Sequence, residues 1–423
     1  MYWEENMNNR KRITAIIVMI LIISTLAACK KEGDSGNVPS ENTNIEIQLT
    51  VTPTVMPTVT PTQIVTVAPT KSAGDSATEQ LQEIRDIPST ELVKEIKIGW
   101  NLGNTMDATG GQGVSSEISW GNPVTSKEMI DSIKTAGFNI LRIPTTWEKH
   151  LGPAPDYIID EKWLSRVQEI TDYAIDNGMF VIINMHHEEW YLPFYDNADK
   201  ATDMLTKVWK QVADRFENYD EHLIFEGLNE PRQKGTSFEW NGGNQEGWEV
   251  VNQLNAAFIE TIRNAGGNNP LRHLMIPPYA ATSSTNAWSG FIVPKDDKII
   301  VSIHAYTPYN FALNKTGTSE WSTDNSNDTR EIDNLMNSID QNFISKGIPV
   351  ILGEFGAMNK DNTNSRVAWA EYYIKKAKEK GIPCIWWDNG AFAGSGELFG
   401  LLDRRGLTWK YPEVVDALMQ GLK

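Results

Sequence analysis

From residue 96 onward the chain repeats one unit. A short apolar run ends in polar residues, and a longer segment with apolar positions every third or fourth residue follows. The runs predict strands at 96–104, 139–144, 180–187, 223–230, 273–279, 299–306, 350–355 and 384–389. Several are continuously apolar, such as Phe180-Val181-Ile182-Ile183, the pattern of parallel strands covered on both faces. The longer segments predict amphipathic helices, among them 126–136, 161–177 and 366–380. Gly137, Gly178, Gly347 and Gly381 each follow such a segment, where a helix ends in a left-handed residue. Eight strands alternating with helices predict an α/β fold, a (β/α)8 TIM barrel forming a single catalytic domain.

The residues before the barrel have another texture. Arg10-Lys11-Arg12 precedes an apolar run from Ile13 to Ala28, short for a membrane span, which closes Leu26-Ala27-Ala28-Cys29. Residues 1–29 thus predict a lipoprotein-type signal peptide, with Cys29 as the residue cleaved before and lipidated. An uncleaved anchor helix is the alternative. Residues 30–79 hold no aromatic residue and repeat Thr52-Pro53-Thr54, Met56-Pro57-Thr58 and Thr60-Pro61-Thr62. That composition predicts a disordered linker, with the catalytic domain at 80–423. The expected location is the outer face of a bacterial membrane, or secretion.

Charge and cysteine narrow the picture. A formal net charge of -17 argues against a nucleic-acid partner and leaves the lipid anchor as the only membrane contact. A monomer is expected. Cys29 and Cys384 cannot make a disulfide framework, so Cys384 reads as an unpaired buried thiol. The 15 Trp are mostly core candidates, yet their faces also suit sugar rings.

The chemistry gathers at the predicted C-terminal strand ends, where a barrel builds its site. Arg142, Asn184, His186, His187, Asn229, Glu230, His304, Tyr306, Glu354 and Trp387 all fall there. Glu230 and Glu354 each end an apolar run, and two carboxylates facing one pocket are the parts needed to cut a glycosidic bond.

With these residues in view, the chain resembles glycoside hydrolase family 5 of the cellulase clan. The likeness rests on Ile98-Gly99-Trp100-Asn101-Leu102-Gly103-Asn104, Leu141-Arg142-Ile143-Pro144, Asn184-Met185-His186-His187, Leu228-Asn229-Glu230-Pro231, His304-Ala305-Tyr306, Gly353-Glu354-Phe355-Gly356 and Trp386-Trp387-Asp388-Asn389, in family order. The pattern is most similar to the endoglucanases and xyloglucanases of subfamily 4. The resemblance implies a retaining endo-β-1,4-glucanase acting on cellulose, xyloglucan or mixed-linkage glucan by double displacement, without cofactor or metal.

It also implies roles. Glu230 would be the acid/base, its pKa raised by burial and by Glu354. Glu354 would be the nucleophile, kept ionised by Arg142 and Tyr306. Asn229 would bond the sugar 2-hydroxyl, and His186 and His304 would orient substrate and carboxylates. Trp387 would be the sugar platform, with His187, Asn104 and Asp107 touching the sugar nearby.

Other residues are expected to do less. Glu226 reads as structural, Glu188 and Glu189 as solvated or at the substrate rim, and Asp388 as orienting a neighbour at most. About half of Trp190, Trp240, Trp288 and Trp321 are expected to contact glycan.

Three rival readings stand beside this one. A metal-dependent barrel hydrolase could use His186, His187, His304 and Glu354, but His-x-His and His-Glu-x-x-His spacings are missing. A non-catalytic glycan-binding surface lipoprotein should lack one of the two carboxylates. A mannan-type or other endo-β-glycanase would share the same fold. No second globular domain is legible, so soluble or amorphous glucans are the expected substrates.

Overall fold

The computed structural model describes residues 83–423. The expected signal peptide, Cys29 and the 30–79 linker lie outside the described residues. Eight parallel strands close into a barrel in chain order: β1 (Ile98–Leu102), β2 (Ile140–Ile143), β3 (Phe180–Asn184), β4 (Leu223–Glu226), β5 (Leu274–Ile276), β6 (Ile299–His304), β7 (Val350–Phe355) and β8 (Cys384–Asp388). β8 pairs back onto β1, from Ile98 opposite Cys384 to Leu102 opposite Asp388. The predicted (β/α)8 architecture is the one observed.

The predicted strands run too far at their C-terminal ends. His186, His187, Asn229, Glu230 and Tyr306 lie past the last paired residues of β3, β4 and β6. There the ladder gives way to bonds that bend the chain towards the barrel mouth: His186 N–H donates to Thr145 O (2.9 Å) and His187 N–H to Thr146 Oγ1 (3.2 Å).

The helices are close to expectation. Lys127–Thr135 is capped by Ser126, whose Oγ accepts from Met129 N–H, and Glu161–Ile175 by Asp160. Thr363–Glu379 starts earlier than predicted. Gly137 follows its helix at φ 109°, a left-handed conformation that glycine adopts without strain.

Side-chain alternation along the strands builds the interior in layers. Ile140, Ile182, Ile224, Met275, Ile300, Ile351 and Ile385, one from each of β2 to β8, form a buried cluster of their own. β1 supplies Gly99, because a Cβ there would lie 2.6 Å from Ile140 Cγ2. Leu92, Val93 and Ile96, from and just after the helix Ser89–Glu95, join this cluster. Two residues further along, the inward positions turn polar: Asn101, Arg142, Asn184, Glu226 and Ser302 are all fully buried. An apolar floor therefore carries a charged layer, which faces the barrel mouth. Cys384 is buried and unpaired, as expected.

β7 breaks the alternation at the position that matters. Ile303 pairs with Leu352 but His304 with Glu354, so Gly353 is an extra residue in the ladder. Strict alternation from the inward Ile351 would send Glu354 out among the helices. The bulge turns it inward instead. Gly353 leaves the space that His304 fills: a Cβ there would lie 2.9 Å from Ser302 Oγ and 3.1 Å from His304 Nε2. Gly353→Ala is expected to lower stability by about 1–3 kcal/mol through overpacking. It should also displace His304 and Glu354. Thermal unfolding together with a turnover assay checks this, and a variant with unchanged midpoint and rate would show that the cavity is not needed.

Candidate active site

Arg142 is the hub of the charged layer and is fully buried. Its Nε donates to Glu226 Oε2 (2.8 Å), Nη1 to Asn101 Oδ1 and Glu354 Oε1 (both 2.9 Å), and Nη2 to Asn229 Oδ1 (2.7 Å). Burial works against the guanidinium charge, but Glu226 and Glu354 outweigh it and the pKa ends above its ordinary value. Glu226 is held from its other side by Ser302 Oγ (2.5 Å). It is structural, as expected, and it is the buried counter-ion that shares Arg142 with Glu354. A second consequence concerns Asn229. With Oδ1 accepting from Arg142, its Nδ2 is left to donate into the cleft that Asn229 lines.

Glu354 is only 5% exposed. Arg142 occupies one oxygen, and Tyr306 Oη donates to the other (2.8 Å). Glu230 sits across the cleft with its Oε1 2.8 Å from His304 Nδ1, and that same nitrogen lies 3.7 Å from Glu354 Oε2. An oxygen of each glutamate and a His304 nitrogen all lie within 4.8 Å of one another. Arg232 Nη1 stands 3.6 Å from Glu230 Oε2.

The protonation pattern differs from expectation. Burial pushes Glu230 up, but the hydrogen bond to His304 and the nearby Arg232 outweigh it, and its pKa falls below the ordinary carboxylate value. Burial pushes Glu354 up, and that wins over His304 and Arg142. His304 loses by burial and gains more from Glu354 and Glu230, so its pKa rises. The two carboxylates thus favour the charged form of His304, whose Nδ1 faces Glu230 Oε1 at 2.8 Å. The expectation of a raised Glu230 counted burial and Glu354 but omitted His304 and Arg232.

His186 has one defined tautomer. Asn184 Oδ1 accepts from Thr145 N–H, which turns its Nδ2 towards His186 Nδ1 (3.1 Å). Nδ1 is then the acceptor and Nε2 carries the hydrogen. Burial keeps the ring neutral. It lies parallel to Trp387, centroids 5.8 Å apart. His187 packs edge-on against His186, and burial lowers its pKa to about 4.

Asp107 is fully buried and accepts from Asn104 N–H (3.0 Å) and Thr105 N–H (2.6 Å). Burial raises it to about 6. Its Oδ2 is 3.9 Å from His187 Nε2. Asp107, His186 and His187 approach within 4.8 Å, but the first is taken by backbone donors and the second has its hydrogen on Nε2, so they make a poor metal set.

A cleft of about 710 Å³ exposes His186, His187, Asn229, Glu230, His304, Tyr306, Glu354 and Trp387 together. Two predicted sugar contacts, Asp107 and Asn104, lie outside the cleft lining, as does Arg142, the predicted support of Glu354. Arg142 and Asp107 are buried supports behind the wall, and Asn104 is half-buried, its backbone held by Asp107 and Asn122. Glu188 is also a correction. It is buried, raised to about 8 by burial, and accepts from Trp147 N–H (2.6 Å), Glu148 N–H (2.8 Å) and Trp190 Nε1 (3.0 Å). Glu189 is exposed and paired with Lys234.

Asp388 is buried, paired with Arg404 (3.0 Å), and accepts from Gly390 and Leu401 N–H (both 2.7 Å), so it shapes the loop after β8. Of the four loop tryptophans, Trp190, Trp288 and Trp321 are buried; Trp240 is exposed and lines the cleft. Sequence reading missed Arg232, Tyr309 and Glu397. Glu397 lines the cleft from the loop after β8 and Tyr309 from the start of the short helix Tyr309–Ala312, neither within a periodic segment. Arg232 was within reach, two residues past Glu230.

A barrel whose mouth holds two glutamates this close, one clamped by an arginine and a tyrosine, is the arrangement of a glycoside hydrolase. The chain belongs to the cellulase family, glycosyl hydrolase family 5, whose model matches residues 103–393. It is 52% identical over 347 residues to Endoglucanase B of Neocallimastix patriciarum, covering 80% of this chain and 73% of that protein. It is 49% identical to Endoglucanase A of Ruminococcus albus, covering 81% and 94%. Among solved structures it is similar to a GH5-4 broad specificity endoglucanase from Ruminococcus champanellensis with bound cellotriose. That match has 49% identity and a TM-score of 0.78, covering 80% of this chain and 100% of that one.

Proposed function

We propose that this protein is a retaining endo-β-1,4-glucanase, with Glu354 as nucleophile and Glu230 as acid/base. The observation that carries the reading is the approach of the two carboxylates to within 4.8 Å. Retaining enzymes keep their carboxyl groups about 5–5.5 Å apart, whereas inverting ones leave about 6.5–9.5 Å for a water. The bound cellotriose and the endoglucanase names of the relatives support β-1,4-glucan as the substrate class.

The first step joins Glu354 Oε2 or Oε1 to the anomeric carbon and breaks the bond to the leaving oxygen. Arg142 and Tyr306 hold the carboxylate in place for that attack. Glu230 gives the leaving oxygen a proton. The route for that proton is the 2.8 Å contact between His304 Nδ1 and Glu230 Oε1. Glu230 retains 19% side-chain exposure in the free site. Substrate that covers it strips the remaining water and favours the neutral carboxyl. In the second step Glu230 takes a proton from water, which attacks the anomeric carbon and frees Glu354. Asn229 Nδ2–H and His186 Nε2–H donate to the sugar hydroxyls, and Trp387 forms the platform beneath the ring.

The stereochemistry of the first product tests this. The new reducing end should appear as the β-anomer in NMR spectra taken before mutarotation. Initial appearance of the α-anomer would falsify the retaining assignment. A panel of xyloglucan, barley-type glucan, carboxymethylcellulose and mannan tests the substrate class: turnover highest on mannan would replace the glucanase with a mannanase.

A further inference from the structure

One wall of the cleft is a single stretch of chain after β6. Tyr306, Thr307, Tyr309 and Leu313 all line the cleft from it. Tyr306 and Leu313 pack against the buried cluster of Met358, Trp387 and Phe399. Beyond Tyr306 the stretch has no ladder to hold it. It forms a helix of only four residues, Tyr309–Ala312, and then a loop that runs to the helix Ser326–Asn342. A single turn is not stable alone in water, so contacts from outside must keep this wall in place.

The largest set of such contacts comes from Lys360, in the loop after β7. Its ammonium donates to Asn310 O (3.0 Å), Asn314 O (2.6 Å) and Thr318 O (3.1 Å). A lysine carries three N–H donors, and here all three end on carbonyls of the wall. Carbonyls at the end of a helical turn lack partners inside it and carry negative partial charge, which suits a cation. Burial lowers the Lys360 pKa, and no neighbouring carboxylate raises it. Two further contacts run the same way: Asn362 Nδ2 donates to Ser319 O (2.9 Å) and Met358 N–H to Ala312 O (2.9 Å). Asn362 is itself fixed by Lys360, whose N–H donates to its Oδ1 (2.9 Å).

We propose that Lys360 is a positioning residue for glucan binding, its ammonium holding the wall 309–319 in its cleft-lining form before substrate arrives. Lys360 is not among the residues that line the cleft, so it acts through the wall. The kinetic part of the proposal rests on the glucanase reading. Substrate that meets a loose wall must first order it, and that cost falls on binding. The catalytic groups are secured separately. Trp369 Nε1 holds Thr307 O (2.9 Å) and Tyr373 Oη holds Ala305 O (2.8 Å), which fixes Tyr306 between them.

Lys360→Met keeps the stem and removes the three donors. Hydrogen exchange of the free protein reads the wall directly, because the amides of Leu313, Asn314 and Gly317 are bonded within it. In the variant these amides should exchange about tenfold faster, while amides of the barrel strands keep their rates. On soluble barley-type glucan KM should rise about threefold to tenfold, with kcat within about twofold of wild type. Lys360→Arg, which keeps the charge but spreads its donors in a planar fork, should fall between the two. Unchanged exchange in the wall would overturn the proposal. So would exchange that quickens equally across the barrel, or a loss in kcat with KM unmoved. Should Lys360→Met fail to fold, Lys360→Arg carries the test, and wild-type values in both readings would overturn the proposal. Wild-type protein that leaves the glucan intact would instead bring down the glucanase reading, while the exchange rates still decide the clamp.

Discussion

Glu354→Ala is expected to abolish turnover of every substrate, with a loss in kcat of about 10⁴- to 10⁶-fold. No covalent intermediate can form without the carboxylate. The loss should be as severe on aryl glycosides as on polysaccharide, because a better leaving group does not replace a nucleophile. The fold should survive, since Glu226 still neutralises Arg142 in the dry interior. A fluorinated cellobioside with an activated leaving group supplies the direct check. It should add one glycosyl mass to the wild-type chain at Glu354 and none to the variant. Residual activity near wild type on the aryl substrate would sink the assignment.

Glu230→Ala is expected to behave differently. On polysaccharide, which needs a proton on the leaving oxygen, the loss should be about 10²- to 10⁴-fold. On dinitrophenyl cellobioside, whose phenolate leaves unaided, the first step should be nearly spared and the second should become limiting. Added azide should then raise the rate and yield a β-glycosyl azide, since an anionic nucleophile needs no general base. Equal losses on the two substrates, with no response to azide, would remove Glu230 from the role of acid.

Most of this site was legible in the sequence, for a physical reason. Parallel strands covered on both faces read as apolar runs, so a polar residue that ends a run announces itself. Glu230, Glu354, His304 and Trp387 were found that way. What the pattern could not give was depth. Arg142 and Asp107 occupy positions that look alike in one dimension, yet both lie behind the cleft wall. Alternation alone would also have turned Glu354 outward; only the ladder shows the extra residue at Gly353. Glu188 misled because loop glutamates are usually solvated, and nothing local signals that Trp147, Glu148 and Trp190 would supply buried donors. The proton inventory was missed for a similar reason. It depends on His304 and Arg232 meeting Glu230 in space.

The layered interior has an evolutionary reading. Arg142 and the groups it holds all come from barrel strands or their immediate ends: Asn101, Glu226, Asn229 and Glu354. The exposed aromatic rings of the cleft, Trp240 and Tyr309, come instead from segments beyond the ladder. The charged layer and these exposed rings therefore sit on separate stretches of chain. A lineage can lengthen, shorten or repaint the stretches that carry the rings, and so move between plain, branched and mixed-linkage polymers, without renegotiating the charges underneath.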